Sequence, residues 1–277
     1  MNRTNTAAHG ILEKNRKMVT SLHKGTSGPF TPQEAAKLLN LDITRSRRFL
    51  AYLADNGWLT RIRRGLYATI SLDVAEPSTW KEDPWIIAAN VFLPFYIGGW
   101  SACEHWGLTE QIFKDTVVIT SHPVRRRHIE IQGTPFIVKV VRNDKIFGTE
   151  IVWRGRTRIP ISDPTRTVVD ILDDPGIGGG IRHVADIFES YLSHSRRNDS
   201  LLLDYAHKLG NKTVFKRLGY VLESMSKDEA SLIEECQKAI SSGISLLDPT
   251  APRKGRIIRK WNLQINVTLD SDRGSLS

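Results

Sequence analysis

Cysteine is scarce in this chain, with two residues in 277, Cys103 and Cys236. Two distant thiols cannot build a disulfide framework, and they lack the spacing of a metal site. Both are expected to be free and to pack as small apolar side chains in a reducing cytoplasm. Long apolar runs are missing too. The longest, Trp85 to Gly99, is broken by Asn90 and Pro94 and is too short to span a bilayer, so no membrane association is expected. Met1 to Gly10 holds no apolar stretch of the kind a secretory leader needs. Internal repeats and heptads are also absent, which excludes solenoids and coiled coils.

Seven Trp and nine Phe in a 40% hydrophobic chain supply enough apolar surface for two cores. The net charge of +9 is unevenly spread. Residues 1–80 carry twelve Lys and Arg against six Asp and Glu, which leaves only +3 for the rest. A basic segment joined to a nearly balanced one suggests a nucleic-acid reader attached to a second domain.

Local signals give that segment a shape. Apolar residues from Ile11 to Leu22 predict a helix that stops before Gly25 and Gly28-Pro29. Thr31-Pro32-Gln33-Glu34 has the form of a capping box with proline at the first helical position, so a second helix should follow. After the turn Asn40–Ile43, Thr44 is expected to cap a third helix, Arg45 to Asp55, with Phe49, Leu50 and Leu53 inward and Asn56-Gly57 as its stop. The period then changes to two. Trp58–Ile62 and Leu66–Ile70 flank Arg63-Arg64-Gly65, a hairpin with a basic tip. Together these predict a winged helix-turn-helix, a module that reads duplex DNA.

Its candidate contacts are Thr44, Arg45, Ser46, Arg47 and Arg48 on the reading helix and Arg61, Arg63 and Arg64 on the wing. Arginine near a reading helix's start can fork onto the two acceptors of guanine or bond only to phosphates, and the residues alone leave both roles open. Arg48 is expected to turn toward the DNA backbone, away from the other two.

The rest of the chain predicts a mixed domain. Helices are expected at Pro84–Phe92, at Ser101–Trp106 with Ser101 as cap, and from Asp163-Pro164 through Leu172. Strands are expected at Val117–Thr120, Ile129–Ile131, Phe136–Val140 and Thr149–Trp153. Further helices should fill Ile181 to Ser241, with breaks at 193–198 and 210–211, before a last strand from Trp261 to Leu269. The fold class is therefore α+β: an N-terminal winged helix-turn-helix at 10–72 and a C-terminal α/β domain with a small central sheet at 80–270. A linker is expected at 73–79, and disordered ends at 1–9 and 271–277.

No catalytic pattern emerges. Gly98-Gly99-Trp100-Ser101 has the form of a nucleotidyltransferase turn, but the paired carboxylates such chemistry needs do not follow it. Glu130, Lys139 and Glu150 lack the acid-x-Lys spacing of a nuclease, and His122, His128 and His183 show no metal spacing. No metal or cofactor is expected, and a DNA-targeted nuclease is the alternative to a non-enzymatic reader. Arg166 and Asp170 stand four apart on one helical face and can pair. Two basic stretches, Arg125-Arg126-Arg127 and Arg253–Lys260, remain without an assigned role.

Several segments, in this order, carry a likeness. They are Arg63-Arg64-Gly65-Leu66-Tyr67, Gly98-Gly99-Trp100-Ser101-Ala102, Ser162 through Asp170 with the glycine cluster after it, and Phe215 through Glu223. With them the chain resembles the AbiEi family, antitoxins of bacterial type IV-like toxin–antitoxin systems. The resemblance implies a repressor of its own operon that binds inverted repeats through the N-terminal domain; binding as a homodimer, or as two copies, fits the geometry of paired half-sites. It also implies a second domain that counters a nucleotidyltransferase-type toxin. Trp100, Ser101, Arg166 and Asp170 would then be structural or would meet the partner. The stretch Arg253–Lys260 has no place in the family pattern.

Overall fold

The computed structural model describes residues 13–70, 80–225 and 229–269. The expected linker at 73–79 and the ends at 1–9 and 271–277 lie outside the described residues. The protein is mixed α+β, with helices at its N-terminus and a multi-stranded sheet. It divides into two compact units. One takes the chain up to Leu93 together with Ile129–Phe136 and Val152–Ile159; the other takes Pro94–His128, Ile137–Ile151 and everything from Pro160.

The first unit opens with helices α1 (Glu13–Gly25), α2 (Pro32–Leu39) and α3 (Ile43–Asp55). The capping box at α2 is complete. Glu34 N–H donates to Thr31 Oγ1 at 3.3 Å, and Thr31 N–H donates to Glu34 Oε2 at 2.6 Å. Asn40 closes the helix in the left-handed region at φ 52°, which a short polar side chain tolerates. The cap of α3 differs from expectation. The helix begins two residues earlier, and Asp42, not Thr44, accepts from the Arg45 amide at 2.9 Å. A carboxylate at that end also meets the positive pole of the helix dipole, an advantage a hydroxyl lacks.

Strands β1 (Leu59–Arg63) and β2 (Leu66–Thr69) form the predicted hairpin. Their register runs Leu59↔Thr69, Thr60↔Ala68, Arg61↔Tyr67, then slips to Arg63↔Leu66. The slip is a bulge, and it lets Leu59 and Ile62, three apart, both face the core. Gly65, at φ 76°, makes the two-residue turn. Phe30 exchanges two backbone hydrogen bonds with Tyr67 along the free edge of β2. Leu22, Phe30, Ala35, Leu50, Leu53, Leu59 and Tyr67 form the core beneath. Helix α4 (Pro84–Val91), capped by Asp83, belongs to the same unit.

The main sheet contains β3 (Phe95–Ile97), β4 (Thr116–Thr120), β5 (His128–Ile131), β6 (Thr134–Val140), β7 (Thr149–Arg154) and β8 (Thr157–Ser162), in the order β5-β6-β4-β3-β8-β7. Strand β3 runs antiparallel to β4 and parallel to β8. The predicted small sheet is thus larger by β3 and β8. All three residues of β3 are buried, so the strand carries no alternation to read. Helix α5 (Gly99–His105) has Gly98 at its cap position, which corrects the expectation that Ser101 caps it.

Helix α6 (Pro164–Asp173) is capped by Asp163 and buried along nearly its whole length. Around it stand α7 (Ile181–Leu192), α8 (Asp199–Leu209) and α9 (Thr213–Ser224), and α10 (Ala230–Ala239) packs against α9. A small sheet of β9 (Ser245–Leu246), β10 (Arg256–Ile258) and β11 (Leu263–Ile265) completes the unit. Trp261, fully buried, closes on Gly219. A Cβ there would lie 2.0 Å from the indole, so only glycine fits.

Candidate nucleic-acid interface

Helix α3 buries Ser46, Leu50 and Leu53 on one side. At about 100° per residue, Thr44 and Arg48 fall on the opposite side, with Arg45 and Arg47 on its two flanks. All four are exposed. Arg48, expected to turn away, is therefore the most central of the three arginines on the exposed face. Ser46 is the exception among the predicted contacts: it is fully buried, and its hydroxyl donates to the Pro32 carbonyl at 2.8 Å. That bond ties α3 to the start of α2 and leaves the side chain turned from solvent.

Arg61, Arg63 and Arg64 are exposed on the hairpin. Of the six arginines, only Arg45 has a carboxylate partner among the described residues, Asp42 at 3.5 Å, and its side chain is still 79% exposed. The other five have no carboxylate partner among the described residues. Such a surface attracts a polyanion, and its guanidinium groups have donors to spare.

The second unit's candidates are internal. Arg166 is fully buried. Its Nε donates to Asp170 Oδ1 at 3.0 Å, and one Nη donates to the Tyr96 hydroxyl at 2.9 Å and to the Lys145 carbonyl at 3.2 Å. Tyr96 in turn donates to Asp170 Oδ2 at 2.9 Å. The guanidinium carbon lies 3.9 Å from the Phe147 ring centroid. Burial raises the Tyr96 hydroxyl well above its ordinary range, reinforced by the Asp170 charge. The triad joins β3 to α6 with its members out of solvent. A buried pair of this kind fixes geometry more than it adds stability.

Trp100 donates its indole N–H to the Asp115 carbonyl at 2.7 Å and stacks on Phe113 at 4.5 Å. Ser101 Oγ accepts from the Val117 amide at 3.0 Å. Both side chains thus have hydrogen-bond partners inside the unit, and His183 is held between Thr109 Oγ1 and the Gly178 carbonyl. Sequence reasoning missed Arg217. It donates to the carbonyls of Leu172 and Asp173 at the end of α6 and to those of Leu246 and Leu247, so one side chain fastens a helix end to β9. A fork of donors opposite unpaired helix carbonyls is the signal in the Phe215–Glu223 segment.

Lys139 pairs with Asp173 at 2.5 Å, Glu150 pairs with Arg196, and Glu130 is exposed. Among the described residues, no group of three His, Cys, Asp or Glu side chains could hold a metal ion, and no helix is long and apolar enough to cross a membrane. Burial pushes the Cys236 thiol up to about 12 and raises Cys103 further, so neither is a ready nucleophile. Arg125 and Arg126 are exposed beside a groove of about 310 Å³. Arg127 is paired with Asp174, and Lys260 with Glu223.

No curated protein matches the chain. The fold is similar to that of a solved structure described as the crystal structure of RV2827C protein from Mycobacterium tuberculosis. The two share 17% identity at a TM-score of 0.60, with 92% of each chain covered. Residues 17–70 match the family model described as transcriptional regulator, AbiEi antitoxin, a span that holds the helices and hairpin carrying the exposed arginines.

Proposed function

We propose that the protein is a DNA-binding transcriptional repressor and antitoxin of the AbiEi type, acting in the cytoplasm without catalytic activity of its own. The observation that carries this reading is a coincidence. The segment matched by the antitoxin-regulator model, 17–70, also presents five exposed arginines with no carboxylate partner among the described residues.

In this reading the segment is a winged helix-turn-helix. Helix α3 enters the major groove with Thr44, Arg45, Arg47 and Arg48, and the wing sets Arg61, Arg63 and Arg64 against flanking phosphates. The domain division at residues 73–79 belongs to the same reading. Two copies on an inverted repeat would match the paired half-sites of an operator, so the repressor controls its own promoter. The C-terminal domain, 80–270, is the part that counters a nucleotidyltransferase-type toxin.

The test has two arms. The full chain should bind duplex DNA from upstream of its own gene more tightly than random duplex. Arg48→Ala should then lose about ten-fold or more on the specific site, the size of one forked base contact, and less on random DNA. Equal losses on both would reduce Arg48 to a phosphate contact, and no wild-type preference would sink the repressor reading. In the second arm, coexpression with the neighbouring gene product should restore growth. An Arg47→Ala/Arg48→Ala chain should still rescue while failing to repress.

A further inference from the structure

The first unit contains a second basic hairpin. Strands β7 and β8 meet at Gly155-Arg156, with Gly155 at φ 57°, and the stretch reads Trp153-Arg154-Gly155-Arg156-Thr157-Arg158. The three arginines differ in their surroundings. Arg154 is tied down, its guanidinium 4.4 Å from the Trp85 ring centroid and its Nε 3.9 Å from Asp83. Arg156 and Arg158 are exposed and have no ion-pair partner among the described residues. Trp153 is 62% exposed, with the Arg158 guanidinium 5.9 Å from its ring. The hairpin is also fixed to the helical part of its unit. Thr157 Oγ1 donates to the Ser27 carbonyl at 3.2 Å, and Gly28 leaves room for that approach.

Between them lies an open groove of about 650 Å³, lined by Lys37 of α2, Arg156, Arg158 and the loop Gly25–Phe30. Among the described residues that line it, the one carboxylate is Glu34, whose Oε2 accepts from the amide and hydroxyl of Thr31. Three cations on two elements therefore line a cleft with a single carboxylate among its described lining residues, which leaves it a net positive charge.

We propose that this groove takes the sugar–phosphate backbone of duplex DNA, so that the β7–β8 hairpin acts as a second, non-reading wing. The chemistry fits a phosphodiester chain rather than base edges. The donors are long and exposed, they line an open groove and not a closed pocket, and the exposed Trp153 beside Arg158 is available for sugar packing. This proposal rests on the DNA-binding reading above and adds a surface that lies outside residues 17–70.

The full-length chain, wild type and Arg156→Ala/Arg158→Ala, is titrated with random-sequence duplex and with duplex from upstream of its gene, across a series of salt concentrations. Both substituted residues are exposed, and circular dichroism checks that the double variant folds. The expected result is weaker binding to both duplexes by a similar factor. The salt dependence should become shallower by about 0.9 log units per decade for each phosphate that is no longer neutralised. Arg156→Lys/Arg158→Lys should recover most of the slope. An unchanged slope in the alanine variant overturns the proposal, as does weakening confined to the specific duplex. Saturable binding of ATP that the alanine variant loses, with DNA affinity intact, overturns it in favour of a small-ligand site. If the wild type binds neither duplex, the DNA-binding reading itself has failed.

Discussion

Ser46 and Arg48 stand two residues apart on α3, and burial separates their roles. Ser46 donates its hydroxyl to the Pro32 carbonyl inside the unit, whereas Arg48 looks out from the middle of the exposed face. Removing the hydroxyl leaves the Pro32 carbonyl without that partner in a dry site, at a cost of about 1 kcal/mol. Ser46→Ala should therefore lower the unfolding free energy by that amount in urea titration while leaving DNA affinity unchanged for the folded protein. A large affinity loss at unchanged stability would return Ser46 to the contact surface. Residue types alone put the two together because Ser and Arg both suit DNA. Only the placement of Leu50 and Leu53 says which side of the helix is free.

At the scale of elements, caps and turns are the most readable features. The Thr31–Glu34 box, the Asp163-Pro164 start of α6 and the Gly65 turn are local chemistry, and each appears where the residues require it. The cap of α3 reads two positions late because Asp42 and Thr44 are both good cap residues. Two substitutions separate them. Asp42→Ala should cost about 0.5–2 kcal/mol of stability in chemical unfolding, while Thr44→Ala should stay within about 0.5 kcal/mol. The reverse ranking would mean that α3 starts later than described. Strands β3 and β8 are hidden for a different reason. Neither shows regular alternation, and β3 pairs with strands on both sides, so its pattern of burial follows from its neighbours.

Across the whole molecule, long-range polar clamps are the features that chain order conceals. Asp173 illustrates their effect on pH behaviour. Burial alone would raise its carboxyl, but Lys139 at 2.5 Å and Asn211 at 2.7 Å outweigh burial and hold it below the ordinary value. A depressed carboxylate contributes stability above its unfolded value of about 3.9 and loses it as pH falls through the lower folded value. Stability should therefore drop as solutions are acidified below about pH 4, and Asp173→Asn should flatten that limb in thermal unfolding between about pH 5 and 2. An acid limb of the same steepness in the variant would assign it to other carboxylates. Arg217 and the buried Arg166–Asp170–Tyr96 triad act over the same range, joining α6 to β9 and to β3.

Charge distribution, helix starts, glycine turns and the basic hairpin 59–69 are legible one short window at a time, because capping, turn geometry and alternation act between neighbours in the chain. The depth of Ser46, the central position of Arg48, the strands without alternation and the company Arg166 keeps are decided only in the packed molecule. Those properties depend on groups brought from far along the chain, by burial that no single stretch of residues contains.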